Sequence, residues 1–333
     1  MGRLVVGLLV LVGLAALIAT AGYFTFRRGD IPYETLAAKY ESAASRYADL
    51  PSGVRMHYRD QGRAAPAQTL LLLHGYSSSL HSWESWVHEL GGEYHVVSVD
   101  LPGHGLTRAP AGYRANIEAF RDEVEAFADA IGLDRFVIAG NSMGGNVAWE
   151  YTLAHPERVD ALILVASSGW EEEAAQNERD PLIFRLLRNP IAAPLLRDLD
   201  NTRLIRQGLE ASFVDQALVD DAMVSRYADL SRAPGHRDIL LQLGLGFRDR
   251  NYATPERLSA IVAPTLIMQG AADNLVSPAD APKFRDAIAG SELISLDGVG
   301  HLPQEEVPAE TAAAVQEFLG RHNNDEEAAI AAQ

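Results

Sequence analysis

The string Gly140-Asn141-Ser142-Met143-Gly144-Gly145 carries the strongest chemical signal in the chain. An apolar, strand-like run from Phe136 to Ala139 leads into it, and a helical pattern from Met143 to Ala154 leads away, so the serine stands at a strand-turn-helix corner. Such a corner forces strained backbone angles on the serine, and the glycines beside it let two chain segments pass closely. The hydroxyl then projects at the positive end of a helix, where a developing oxyanion is stabilised. A glycine-rich loop without chemistry is the competing reading, and it leaves the flanking strand and helix unexplained.

A serine hydroxyl is too weakly acidic to attack an acyl carbon unaided; it needs a base within hydrogen-bond reach, and the base needs a group that fixes its tautomer. His301 lies in Gly298-Val299-Gly300-His301 after the last predicted strand, and Asp273 in Gly270-Ala271-Ala272-Asp273 after the one before. Ser142 as nucleophile, His301 as base and Asp273 as orienting acid form a catalytic triad; Asp297 is the weaker alternative acid. His57, His81, His88, His95 and His155 flank or end helices and strands and carry ordinary structural readings. In Leu73-His74-Gly75-Tyr76 the backbone N–H of Tyr76 joins that of Met143 as two oxyanion-hole donors, with His74 buttressing the loop. Asp100-Leu101-Pro102-Gly103-His104-Gly105 reads as a structural turn. No metal-ligand constellation or phosphate loop is visible, so the chemistry is expected to need no cofactor.

These residues must be positioned by a layered scaffold. Short apolar runs at Val54 to Arg59, Thr69 to Leu73, His95 to Val99, Phe136 to Ala139, Ala161 to Val165, Thr265 to Met268 and Leu293 to Leu296 predict strands. Helices are predicted at Trp83 to Leu90, Ile117 to Ile131, Met143 to Ala154, Ala279 to Ile288 and Pro308 to Leu319. The alternation predicts an α/β core, residues 51–167 and 256–321, with a mostly parallel sheet between helices. Residues 168–255 show helix formers and no clear strand, which predicts an inserted helical cap. Within it Leu182, Ile183, Phe184, Leu186, Leu187, Ile191, Leu195, Leu196 and Leu199 suit an acyl-chain pocket, a membrane contact or an ordinary cap core. Residues 322–333 are polar and alanine-rich and are expected to fray as a flexible tail.

At the amino end, Leu4 to Phe26 is free of charge and long enough as a helix to cross a hydrocarbon core of about 30 Å. Arg3 precedes it, Arg27 and Arg28 follow, and Tyr23, Phe24 and Phe26 sit where an interfacial aromatic belt belongs. The segment 4–26 is read as a transmembrane anchor; a cleavable signal ending near Ala19-Thr20-Ala21 is the alternative. Positive residues lean towards a cytoplasmic catalytic domain, whereas a signal-like start favours export. Between these, a single-pass protein of a bacterial inner membrane with a periplasmic domain is preferred. Leu36, Tyr40, Ala44 and Tyr47 recur at helical spacing, predicting a juxtamembrane helix within residues 30–50 with Asp30 near its N-cap. Its apolar stripe either lies on the membrane or packs on the catalytic domain.

Composition narrows the partners. With 333 residues, 47% hydrophobic and 22% charged, the chain can bury a sizeable core. Its formal charge of -17 and lack of a basic stripe exclude nucleic acid as a natural partner. The absence of cysteine excludes thiolate metal sites and a cysteine nucleophile. A lipid or acyl-ester substrate, the membrane through the N-terminal helix, and a second copy in a homodimer remain as partners.

Through the Leu73 to Tyr76, Asp100 to Gly105 and Gly140 to Gly145 motifs, Asp273 and Gly300-His301, the chain resembles the α/β-hydrolase superfamily over about Pro51 to Arg321. The anchor joined to a helical cap is similar to membrane-bound monoacylglycerol lipases and bacterial anchored esterases and phospholipases A. That resemblance implies an α/β-hydrolase fold and a carboxylic ester hydrolase of acylglycerols, lysophospholipids or phospholipids. The Gly140 to Gly145 string is also similar to that of carbon–carbon bond hydrolases, but those carry a longer glycine-rich oxyanion loop than Tyr76-Ser77-Ser78-Ser79. A perhydrolase and a non-catalytic binding module complete the alternatives. Haloalkane dehalogenases and soluble epoxide hydrolases place an aspartate where Ser142 stands.

Overall fold

The computed structural model describes residues 20–63, 68–171, 192–246 and 251–331, with isolated positions at 11, 13, 14, 17 and 189. Among them one eight-stranded sheet forms from β1 (Ser45–Asp49), β2 (Arg55–Gly62), β3 (Thr69–Leu73), β4 (His95–Val99), β5 (Phe136–Asn141), β6 (Val159–Val165), β7 (Thr265–Gly270) and β8 (Glu292–Leu296). The spatial order is β1-β2-β4-β3-β5-β6-β7-β8. β1 and β2 run antiparallel at one edge, and every pair from β4 onward is parallel.

The all-leucine face-to-face pattern of β3 shows why the sheet is buried on both sides. Leu71 and Leu73 point into a layer with Phe120, Phe127 and Trp149; Leu70 and Leu72 point into the opposite layer with Trp83, Trp86 and Phe318. Burying each such side chain contributes about 1.5–3 kcal/mol. Helix Ile117–Ile131 covers the first face; Asn116 caps it by accepting the Ala119 N–H at 2.7 Å, and Gly132 ends it with φ 73°. Helices Glu84–Leu90 and Pro308–Ala331 cover the second face, joined by a 2.9 Å bond from Trp86 Nε1 to Thr311 Oγ1.

Three sequence expectations change. The helix expected within residues 30–50 spans only Tyr33–Tyr40, with Pro32 rather than Asp30 before it, and Ser45–Asp49 is the edge strand β1. The helical spacing of Leu36 to Tyr47 hid this strand, in which Ala48 alone is buried and Asp49 is exposed. The core therefore begins before residue 51. Leu36 packs against Leu106, Leu230 and Ala233, so this part of the stripe covers protein. At the other end helix Pro308–Ala331 runs through most of the expected flexible tail, because its glutamates and alanines are strong helix formers.

The inserted cap is helical where described: Ala192–Arg197, Thr202–Ser212, Asp221–Ser231 and His236–Gly246. The stretch Leu182 to Leu187, and Ile191, lie outside the described residues. So does most of the expected anchor 4–26; residues 20–26 are helical, and among the described residues no helix is long and apolar enough to cross a membrane. From Arg27 onward the chain is strapped to the cap. Arg27 bridges to Leu199 as a short antiparallel pair, Arg27 and Arg28 pair with Asp198 and Asp200 at 3.2 and 3.0 Å, and Asp30 pairs with Arg237 at 2.6 Å.

Candidate active site

Ser142 sits between β5 and helix Met143–Ala154 with φ 54° and ψ -115°, a conformation that costs energy for any non-glycine residue. Its N–H donates to Val165 O at 3.0 Å, which fastens the corner to β6. The glycines are required sterically. A Cβ on Gly140 would strike the Gly144 carbonyl, one on Gly144 the Leu73 carbonyl, and one on Gly145 the Ser167 side chain. Ser142 is half-buried at the corner, with its helix starting directly behind it.

His301 and Asp273 are brought together, both buried, with Nδ1 of the imidazole 2.8 Å from Asp273 Oδ2. The same oxygen accepts Gln269 Nε2 at 2.9 Å, and Oδ1 accepts the Leu275 and Val276 N–H groups at 2.8 and 3.0 Å. Burial pushes the Asp273 pKa up, but the hydrogen bond and charge of His301 and the two backbone donors outweigh it and hold the carboxyl below its ordinary value. Gly270 and Gly300 are the close approach that makes this pairing feasible, since a Cβ on Gly270 would strike the Gly300 carbonyl. Asn141 joins the two halves: its Nδ2 donates to Val165 O at 3.2 Å and to His301 O at 3.1 Å. Among the described hydrogen bonds none runs between Ser142 Oγ and His301.

The turn carrying Tyr76 overlies Ser142, for a Cβ on Gly75 would lie 3.3 Å from Ser142 Cβ. Met143 is the first helical residue, so its N–H has no acceptor within its own helix. His74 has both nitrogens engaged: Nε2 accepts the Leu101 N–H at 3.0 Å, which leaves Nδ1–H to donate to Gly75 O at 2.7 Å. His104 is used the same way, accepting the Ser77 N–H at 3.1 Å. Burial lowers the pKa of both, so both are neutral braces of the turn that carries Tyr76. Ser77 bends that turn with φ 58°.

A second Ser-His-Asp chain exists. Ser45 Oγ lies 2.9 Å from His57 Nε2, and His57 Nδ1 lies 2.7 Å from Asp100 Oδ2. Its serine stands in extended edge strand β1, with neither a strained corner nor a helix start behind it. Asp100 also accepts the Leu80 and Leu106 N–H groups at 2.8 and 2.9 Å, and a Cβ on Gly105 would strike its carboxyl. Burial raises the Asp100 pKa, yet the hydrogen bond and charge of His57 and the Leu80 N–H hold it well below the ordinary value. This chain is the internal frame of the Asp100 to Gly105 turn.

Sequence reading did not single out Gln269, Asn141 or Glu306 as site residues. Asn141 stood inside the nucleophile string and Glu306 five places after His301, which were the signals available; for Gln269 there was none. Among the described residues no cluster of His, Asp or Glu could hold a metal ion.

A family model described as alpha/beta hydrolase fold matches residues 68–308, and the chain belongs to that family. Monoacylglycerol lipase abhd6-B of Xenopus laevis is 27% identical over 281 residues, covering 79% of this chain and 78% of its own length. The 2-hydroxymuconate semialdehyde hydrolase of Pseudomonas sp. (strain CF600) is 25% identical over 284 residues, covering 81% and 92%. A crystal structure of a membrane phospholipase A, described as a bacterial virulence factor, is 28% identical with a TM-score of 0.72, covering 97% of this chain and 100% of that one.

Proposed function

We propose that the protein is a serine carboxylic-ester hydrolase acting on lipid-like acyl esters at a membrane. The carrying observation is Ser142 in its strained corner, tied through Asn141 to a loop whose His301 is paired with Asp273 at 2.8 Å. His301 Nε2 takes the Ser142 proton as Oγ attacks the acyl carbon, and the Tyr76 and Met143 N–H groups hold the oxyanion. His301 then gives the proton to the departing alcohol, and water, activated by the same imidazole, releases the acid. Asp273 stays ionised throughout, which its depressed pKa supports.

The lipid substrate is supported by likeness to a monoacylglycerol lipase and a membrane phospholipase A, the latter over nearly the whole chain. The charge-free run 4–26 supplies a single-pass anchor, and we place the catalytic domain on the periplasmic side of a bacterial inner membrane. The strap from Arg27 to Asp30 connects that run to the cap rather than to the sheet. Carbon–carbon bond cleavage is the second reading, favoured by the 2-hydroxymuconate semialdehyde hydrolase likeness.

Detergent-solubilised full-length protein, assayed against p-nitrophenyl esters, monoacylglycerols, lysophospholipids and phospholipids, tests the proposal. Fatty acid release that disappears in Ser142→Ala is the expected result. Cleavage of short esters alone removes the lipid assignment, and turnover retained by Ser142→Ala removes the nucleophile.

A further inference from the structure

We propose that Glu306 is a positioning residue that couples the seating of the cap to the placement of His301. The inference rests on His301 being the base of the proposed reaction. Glu306 lies on the short turn Pro303–Glu306, and its carboxylate grips two separate segments at once. Oε2 accepts the Gly300 N–H at 2.7 Å, next to the base; Oε1 accepts both the Val214 and Asp215 N–H groups at 2.9 Å, at the end of cap helix Thr202–Ser212.

Two further contacts run along the same seam. The His301 N–H donates to Ser212 O at 2.7 Å, and Gly300 passes so close to that carbonyl that a Cβ would strike it. Leu302, on the other side of the base, is buried in a cluster with Leu209, Phe213, Val219 and Val224, all from the cap. His301 is therefore flanked on both sides by residues in contact with the cap, and among the described residues Glu306 is the side chain that bonds both Gly300 and the cap. The oxyanion turn is touched from the cap as well: Tyr76 Oη donates to Leu240 O at 3.0 Å, and the Ser78 and Tyr227 hydroxyls lie 3.0 Å apart. A cap shifted off its seat would displace base and oxyanion donors together, and a shift of about 1 Å in reacting groups costs on the order of a hundredfold in rate.

The carboxylate has two acceptor oxygens, and a carboxamide has one. Glu306→Gln keeps Gly300 or the Val214 and Asp215 pair, but not both. With active sites titrated by a fluorophosphonate probe, full-length Glu306→Gln should lose about tenfold in kcat per active site and in probe labelling rate, with KM for p-nitrophenyl butyrate within about twofold. A purely structural role would lower the melting temperature and the titrated fraction while leaving kcat per site unchanged. Phe213→Ala cuts the seam from the cap side, should show the same pattern, and decides the matter if Glu306→Gln lacks a cooperative melt. A folded variant, by that rule, with kcat and labelling within about twofold of wild type overturns the coupling. His301→Ala belongs in the panel: if it stays active the base assignment fails, whereas an inactive His301→Ala beside a fully active Glu306→Gln sinks the coupling alone.

Discussion

Asp273→Asn tests the proposed acid most sharply, because the surroundings of the carboxylate dictate what an amide must do there. Oδ1 receives two backbone N–H groups and Oδ2 receives Gln269 Nε2 and His301 Nδ1. If the asparagine oxygen keeps Leu275 and Val276, its NH2 faces the Gln269 donor, and His301 must turn its Nδ1 lone pair towards it. The imidazole proton then sits on Nε2, the nitrogen that should accept the proton of Ser142. Turned the other way, the NH2 faces two backbone donors that have lost their acceptor. The first orientation strands about two donors and the second about four, so the first is expected, with a stability loss of about 2–5 kcal/mol. The wrong tautomer should cost about 10³–10⁴ in kcat, equivalent to about 4–5.5 kcal/mol of barrier. The variant should also lose a pH dependence. A depressed carboxyl pKa gives stability that is present above the unfolded value and lost as pH falls through the folded one, and an amide has no such slope. Steady-state turnover of p-nitrophenyl butyrate, with urea melts at pH 4 to 8, reads both effects. A folded Asp273→Asn within about tenfold of wild-type kcat would refute the assignment of the orienting acid.

Two other outcomes follow from half-buried side chains away from Ser142. Ser45→Ala should leave turnover within about twofold and lower stability by about 1 kcal/mol, since Ser45 Oγ closes the structural chain to His57 and accepts the Ser42 N–H; peptide mapping of a fluorophosphonate adduct should find Ser142, and label on Ser45 would contradict this. Burial raises the Glu305 carboxyl from its ordinary 4.5 to about 8, opposed by Arg226 and aided by Glu84, and its Oε1 has no hydrogen-bond partner. Between those values the unfolded chain has released a proton that the folded one keeps, so stability falls as pH rises. Glu305→Gln should match wild type near pH 4.5 and exceed it by about 1–3 kcal/mol at pH 8; a gap independent of pH in urea melts would count against this.

The centre of the sheet was legible because its strands are largely apolar runs. Thr69–Leu73 and His95–Val99 fall where their composition puts them, and so does the Asn116-capped helix Ile117–Ile131. Ser45–Asp49 was not legible as a strand. An edge strand buries one side chain fully here, Ala48, and its remaining pattern fits a helix face equally well. For the candidate site, the positions of Ser142, Asp273 and His301 were legible through glycine placement, because close approaches leave a mark in sequence. Gln269 and Asn141 act through a single amide group each, in places set by strand register, and register is a property of paired chains. Glu306 bonds backbone N–H groups, which every segment carries, so nothing in the residues at 214 and 300 points to it.

The strap at the start of the chain also sets an order of assembly. β1 and β2 close over short separations, with Ser45 and His57 12 residues apart. Arg27 waits for Asp198, 171 residues later, Gly29 for Arg232, 203 later, and Asp30 for Arg237, 207 later. During synthesis residues 27–30 thus emerge well before the cap residues that hold them, and they dock only after those partners have been made. In that interval residues 27–30 are unclaimed by the folded domain, and whatever engages the apolar run before them meets an unoccupied chain. Completion of the cap ends that window.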